Sequence, residues 1–145
     1  ECDIHMKADE LTQTEVTQTL KGMFAAYKKR DLKGVLSFWA PDPDIVFIGS
    51  GANEKSVGRT QFSASLKRDF SRADITGIDF KNFAVSSSGL VAWFSAEMTF
   101  RGIADSKEFG LPGRLTGVME NREGKWLWVQ MHHSVPSTGQ TQGQS

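Results

Sequence analysis

Apolar side chains recur at helical spacing near the start of the chain and predict a helix from about Asp9 to Arg30. The apolar stripe of this helix consists of Val16, Leu20, Met23, Phe24 and Tyr27. Asp31 can cap a second, shorter helix, because its side chain can accept a hydrogen bond from a free backbone N–H. Thr60 is predicted to cap a third helix in the same way. The stripe of the third helix consists of Phe62, Leu66 and Phe70.

The rest of the pattern predicts strands. A short strand is expected from Asp44 to Ile48, followed by a glycine-rich turn. Four longer strands are expected at about Ile75–Ser86, Leu90–Arg101, Phe109–Asn121 and Lys125–Ser134. The last two are joined by a loop, Asn121 to Gly124, with glycine where a positive φ is needed. Helices followed by a meander of strands predict an α+β fold, with three helices on one face of a curved, mostly antiparallel sheet.

Neither face of the last predicted strand is entirely polar. Side chains alternate along a strand, so strict alternation divides Lys125–Ser134 into two sets. One set is Trp126, Trp128, Gln130, His132 and Ser134, and the other is Leu127, Val129, Met131 and His133. Both sets contain large apolar side chains, and both faces are therefore expected to be covered.

At this point the chain resembles a known superfamily. The segment EGKWLWVQMHHSVP, preceded by RLT, resembles the C-terminal signature of SnoaL-like proteins in the nuclear transport factor 2 and ketosteroid isomerase superfamily. It is also similar to the association domain of calcium/calmodulin-dependent protein kinase. The similarity extends upstream through FWAPDPDIVFIGSG, VGRTQF and LVAWFSAEMTF, and runs from Glu10 to Pro136. The resemblance implies a cone-shaped sheet with the helices on its concave face.

The resemblance also implies which side chains face a pocket. Matching WFSAE to the kinase association domain places Trp93, Ser95 and Glu97 on the concave side. His132 matches a pocket-facing histidine of the resembled families. The opposite face of the same strand, with Phe94, Met98 and Phe100, would then be the surface of a two-fold homodimer.

Candidate pocket residues follow from these assignments. The expected ligand-binding residues are Trp39, Arg59, Trp93, Ser95, Glu97, Arg114, Trp128, Gln130 and His132. Glu97, His132 and Asp44 are the candidates for catalysis, because carboxylates and imidazoles transfer protons. A structural ion pair of Glu97 with Arg114 or Arg101 is the alternative explanation for that carboxylate. Arg59 and Arg114 offer planar guanidinium groups that can bind a carboxylate, and the tryptophans offer an apolar lining.

Three functions are compatible with this pattern. The first is binding of a small, partly apolar organic ligand. The second is a cofactor-independent isomerase, dehydratase, cyclase or hydrolase that transfers protons through a carboxylate and a histidine. Against it, the sole tyrosine, Tyr27, lies on the first helix, so the multi-tyrosine sites of ketosteroid isomerases are not reproduced. The third is a homo-oligomeric assembly module.

Composition narrows the remaining choices. Seventeen basic and seventeen acidic residues in 145 balance, so neither nucleic acid nor an anionic membrane surface is an expected partner. His132 and His133 are adjacent on a strand and point to opposite faces, and Cys2 and His5 lie in the segment expected to be vector-derived, so no metal site is expected. No cofactor motif is present. We expect residues 1–5 to be vector-derived, residues 6–136 to form one domain and residues 137–145 to be a flexible polar tail. The expected location is cytoplasmic, or secreted or periplasmic if a signal peptide has been removed.

Overall fold

Three helices lie against one face of a single sheet in the computed structural model, which describes residues 6–137. The helices are α1 (Glu10–Lys28), α2 (Leu32–Leu36) and α3 (Gly58–Arg72). The predicted cap of α2 is confirmed, because an Asp31 carboxylate oxygen accepts a hydrogen bond of 2.9 Å from the backbone N–H of Gly34. The predicted cap of α3 is wrong. Thr60 lies inside the first turn of a helix that already begins at Gly58.

Six strands form one curved, unclosed sheet. They are β1 (Val46–Ile48), β2 (Lys55–Val57), β3 (Asp74–Ser88), β4 (Val91–Ala104), β5 (Lys107–Arg122) and β6 (Lys125–Ser134). Their order across the sheet is β2-β1-β6-β5-β4-β3, and only the β1–β6 pair is parallel. The predicted α+β fold, with helices on one face of a mostly antiparallel sheet, is therefore confirmed. The short strand β2 was not predicted.

The helices cover the apolar face of β4, which corrects the predicted dimer surface. Phe94 and Met98 are buried, with 4% and 2% of their surface exposed, and Phe100 packs against Phe24 of α1 at a ring-centroid distance of 6.1 Å. The prediction that these side chains form the outer surface is wrong, because the helix stripes need an apolar sheet face to pack on. The homodimer itself stays a prediction. Its surface would be the outward face, where Trp93 is 36% exposed.

A β-bulge in β6 reverses the alternation of side chains near its end. Val118 of β5 pairs with Gln130, but the next residue, Met119, pairs with Trp128, which leaves Val129 as an extra residue. An extra residue in one strand shifts every later side chain to the opposite face. Trp128 lies before the bulge and is fully buried, so strict alternation assigns it to the correct face. Beyond the bulge, however, His133 is buried and His132 is exposed.

Two further observations concern the ends of the chain and its helices. Residues 1–5 and 138–145, which hold the predicted vector-derived segment and nearly all of the predicted tail, lie outside the described residues. Among the described residues, no helix combines the length and the apolar character that a membrane span requires.

Candidate functional site

A cavity of about 260 Å³ lies between the helices and the inner face of the sheet. All three helices, the turn between β1 and β2, and strands β1, β3, β4, β5 and β6 contribute to its wall. Most of the wall is apolar. The apolar side chains of its buried part are Met23, Phe24, Val35, Phe62, Leu66, Met98, Leu115 and Met131. The exposed lining residues Ser50, Arg72 and Leu111 mark its mouth.

Three aromatic rings form one corner of the cavity. Tyr27 lies with its ring centroid 6.1 Å from that of Phe24 and 5.9 Å from that of Phe100. Phe24 and Phe100 complete the triangle at 6.1 Å. Such tilted and edge-to-face contacts stabilise the corner beyond the burial of its surface. The corner therefore holds the phenol group of Tyr27 in a fixed place.

The phenol of Tyr27 forms a hydrogen bond to a carboxyl group that also lines the cavity. Its O–H donates a hydrogen bond of 3.3 Å to Oδ2 of Asp69 on α3. Burial raises the pKa of Asp69, and the nearby negative charge of Glu54 raises it further. Burial also raises the pKa of Tyr27, so the phenol stays protonated near neutral pH. The site thus pairs a neutral donor with a carboxyl group that resists ionisation.

This pair predicts a pH-dependent effect of Asp69→Asn on stability. The folded state raises the carboxyl pKa above its ordinary value of 3.8, so folding becomes less favourable as the pH rises from that value toward the folded pKa. Asparagine has no charge to desolvate. We expect the variant to gain stability over the wild type at pH 7.5 and to gain less at pH 4.5, measured by urea unfolding. An equal or larger gain at the lower pH would contradict the assignment.

Two further polar side chains line the cavity. Glu54 lies in the turn between β1 and β2, and His133 comes from the end of β6. The imidazole of His133 is 8% exposed, stacks edge-on against Phe100 at 5.3 Å, and its Nε2 has no hydrogen-bond partner among the described residues. Burial lowers the pKa of His133, although the charge of Glu54 opposes this effect. The ring is therefore neutral near pH 7.

Most of the predicted site residues lie outside this cavity. On the three central strands, the predicted residues that project from the outward face are Trp93, Ser95, Glu97, Arg114, Gln130 and His132. Asp44 is also exposed, in the loop before β1. Their predicted inward orientation is wrong, because the buried face of β4 is its apolar one and the bulge turns the end of β6. The three catalytic candidates are consequently not gathered in one pocket.

Glu97 has a structural partner, but not a predicted one. Its carboxylate accepts a hydrogen bond from the side-chain amide of Asn82 on β3. Arg101 instead pairs with Asp79, at 2.8 Å. Arg114 lies directly opposite Glu97 in the β4–β5 register, yet the two do not form an ion pair. The expected ion pair of Glu97 with an arginine such as Arg114 or Arg101 is wrong, because the contact of Glu97 is a hydrogen bond from a neutral amide.

The other three predicted residues are inside the protein but stabilise it elsewhere. Trp39 and Trp128 are 1% and 0% exposed and pack together at 6.2 Å, away from the cavity wall. Arg59 donates from Nη2 to the backbone carbonyls of Leu36 and Trp39, at 2.9 and 2.6 Å. These carbonyls lie at and just beyond the end of α2, where backbone acceptors lack helical partners. Arg59 thus fixes the end of a helix.

Sequence reasoning missed Asp69, Glu54 and His133. A signal for Asp69 was present, since it follows Leu66 by three positions and Phe62 by seven, which places a carboxylate on the apolar stripe of α3. The orientation of His133 depends on the bulge. Among residues 6–137, no group of three or more His, Cys, Asp or Glu side chains is arranged to hold a metal ion.

Solved structures share this fold at low sequence identity. A nuclear transport factor 2-like superfamily protein from Salmonella enterica has a TM-score of 0.79 and 16% identity, over 95% of this chain and all (100%) of the other. A calcium/calmodulin dependent protein kinase II association domain-like protein from Xanthomonas campestris has a TM-score of 0.70 and 22% identity, over 94% of this chain and 99% of the other. A ketosteroid isomerase-like protein from Erwinia carotovora has a TM-score of 0.73 and 13% identity, over 86% of this chain and 95% of the other.

Comparison of the sequence with family models identifies the family as well as the fold. No curated protein matches the chain. The family model described as the SnoaL-like domain matches residues 16–138, which include α1 from Val16 onward, the cavity-lining residues and the whole sheet. The chain therefore belongs to the SnoaL-like domain family.

Proposed function

We propose that this protein binds a small, mostly apolar organic molecule in the cavity between the helices and the sheet. The observation that carries the proposal is the cavity itself, a space of about 260 Å³ with an apolar wall and a few polar groups at fixed positions. Small-molecule sites commonly have this composition, in which apolar walls supply affinity and a few polar groups fix orientation. The proposed site replaces the predicted one around His132.

The contacts of the polar groups support the same function. Tyr27 and Asp69 have each other as partners, whereas Nε2 of His133 is buried with no partner in the described part of the chain. A buried polar atom without a partner costs about 1–3 kcal/mol. A ligand atom that forms a hydrogen bond to this nitrogen would remove that cost. Membership of the SnoaL-like family and the shared fold of a ketosteroid isomerase-like protein are consistent with a ligand-binding role.

A large side chain at position 73 should fill part of the cavity and weaken ligand binding. Ala73 lines the cavity directly after α3, so Ala73→Phe places an aromatic ring in the space that a ligand would occupy. The matched control is Ala64→Phe, on the exposed side of α3. We expect a saturation-transfer NMR screen of small aromatic and alicyclic compounds to find ligands of the wild type and of the control. Those ligands should lose at least about tenfold in affinity, or 1.4 kcal/mol, with Ala73→Phe.

Two outcomes would contradict the proposal. One is a screen in which the wild type binds no compound. The other is a set of ligands whose affinity is unchanged by Ala73→Phe, since these compounds would occupy another surface.

Acid–base catalysis is a second function, favoured by the environment of Asp69. A carboxyl group whose pKa is raised by burial inside an apolar cavity can hold a proton and transfer it to or from a bound ligand. The phenol of Tyr27 is placed to stabilise its charged form. In this proposal the protein is a cofactor-independent isomerase, dehydratase, cyclase or hydrolase, with Asp69 in the role first assigned to Glu97. Turnover of a bound compound that requires the Asp69 carboxyl would distinguish it from a binding protein.

A further inference from the structure

The interior polar groups of the cavity are mainly hydrogen-bond acceptors. Glu54 and Asp69 carry carboxyl groups, and a neutral His133 has one acceptor nitrogen. The single O–H of Tyr27 already donates to Asp69, which leaves its oxygen lone pairs as acceptors. Arg72 is a lining donor, but it is exposed at the mouth. A ligand that fits this set must supply donors.

Glu54 is held at the cavity without a partner for its charge. The turn that carries it is closed by two backbone hydrogen bonds, of 2.7 Å from Gly49 N–H to its carbonyl and 3.1 Å from its own N–H to Gly51. The carboxylate folds back over these two glycines, and a Cβ on Gly51 would approach Oε1 to 2.7 Å. Among residues 6–137, this carboxylate forms no hydrogen bond or ion pair.

The charge of Glu54 reaches the other titratable groups inside the cavity. It raises the pKa of Tyr27, Asp69 and His133, the direction expected from a nearby negative charge. At Asp69 its effect exceeds the opposing effect of Arg72, whose exposed charge is better screened by water. Glu54 therefore adds negative charge to the interior of the cavity, opposed at Asp69 by the exposed arginines Arg72 and Arg68.

We propose that the ligand is a protonated amine, with an apolar body among the aromatic rings and an ammonium group between Glu54, Asp69 and His133. This inference rests on the proposed ligand-binding function and specifies the class of ligand. An ammonium group supplies three donors and a positive charge, which matches the carboxylate of Glu54 and Nε2 of His133, since neither has a donor among residues 6–137. Phe24, Tyr27 and Phe100 also line the cavity, and aromatic rings attract cations.

Three probes of similar shape and different charge test this inference. They are 2-phenylethylammonium, neutral 2-phenylethanol and anionic phenylacetate, and their affinities are measured by NMR titration at pH 7.5. We expect the ammonium probe to bind at least about tenfold more tightly than the alcohol, and phenylacetate to bind least tightly. Glu54→Gln should weaken the ammonium probe by about fivefold to tenfold and leave the alcohol within about twofold. The matched control is Glu123→Gln, in the exposed β5–β6 turn, and should change none of the three.

The outcomes separate the two proposals. If the alcohol or phenylacetate binds as tightly as the ammonium probe, the amine inference is wrong and the proposed binding function stands. If the ammonium probe binds most tightly but Glu54→Gln has no more effect than Glu123→Gln, it binds elsewhere and the inference is also wrong. If none of the three binds, the amine inference is rejected, and a negative compound screen would then reject the binding function as well.

Discussion

Trp128→Ala is expected to lower the free energy of unfolding by about 3–5 kcal/mol, the usual cost of removing a large aromatic side chain from a core. Trp128 is 0% exposed and packs against Phe94 at 5.1 Å and Trp39 at 6.2 Å. No neighbouring side chain can fill so large a space without leaving its own position. Small domains are stable by about 5–15 kcal/mol, so this loss is a large part of the total. Urea unfolding followed by circular dichroism measures it.

Trp93→Ala is the matched control for this prediction. Trp93 lies on the outward face of the same sheet and is 36% exposed, so its removal should cost clearly less than the removal of the fully buried Trp128. Repeating both measurements over a range of protein concentrations separates folding from any association through the outward face. Equal losses for the two tryptophans would contradict the assignment of faces, because it places one of them in the core and the other outside it.

Gly117→Ala is expected to lower the free energy of unfolding by about 1–3 kcal/mol through overpacking. Gly117 lies on β5 beneath the ring of Trp128, and a Cβ there would meet that ring and approach the backbone carbonyl oxygen of Gln130 to 2.7 Å. A backbone atom of a paired strand cannot move aside without disturbing the ladder next to the bulge. Thermal and urea unfolding of the purified variant measure the effect.

Gly110→Ala tests whether the cost arises at that contact. Gly110 lies on the same strand, and a Cβ there meets no atom within 4 Å. Alanine reduces the conformational freedom of the unfolded chain, so this variant should keep or gain stability, by up to about 1 kcal/mol. A similar loss at both glycines would mean that the close packing of Trp128 on Gly117 is not its cause.

The helices and strands could be predicted from the sequence because local spacing determines them. The stripe that includes Leu20 and Tyr27 lies on α1, and the last predicted strand begins and ends as observed. The turn between β5 and β6 consists of Glu123 and Gly124, within the predicted loop, and Gly124 has the expected positive φ. The start of α3 and the three-residue strand β2 were harder to predict from the sequence. β2 is too short to show a period, and Gly58 begins the helix before the predicted cap.

The site was less predictable because it depends on which face of each strand turns inward. Strict alternation was correct for Trp128 and wrong for His133, since a bulge lies between them and leaves no distinct mark in the sequence. For β4, the resemblance assigned Trp93 to the inside, whereas the need of the helices for an apolar partner surface places Phe94 there. Glu54 reaches the cavity through a turn whose path only the folded chain reveals.

The central claim is that the ligand lies in the cavity beside His133, not on the outward face beside His132. The most direct measurement is a ¹H–¹³C NMR titration of the two imidazole rings with the tightest-binding compound from the screen. We predict saturable shifts of the His133 ring, with those of the Tyr27 ring alongside, and an unchanged His132 ring. Saturable shifts of His132 with an unchanged His133 would contradict the claim.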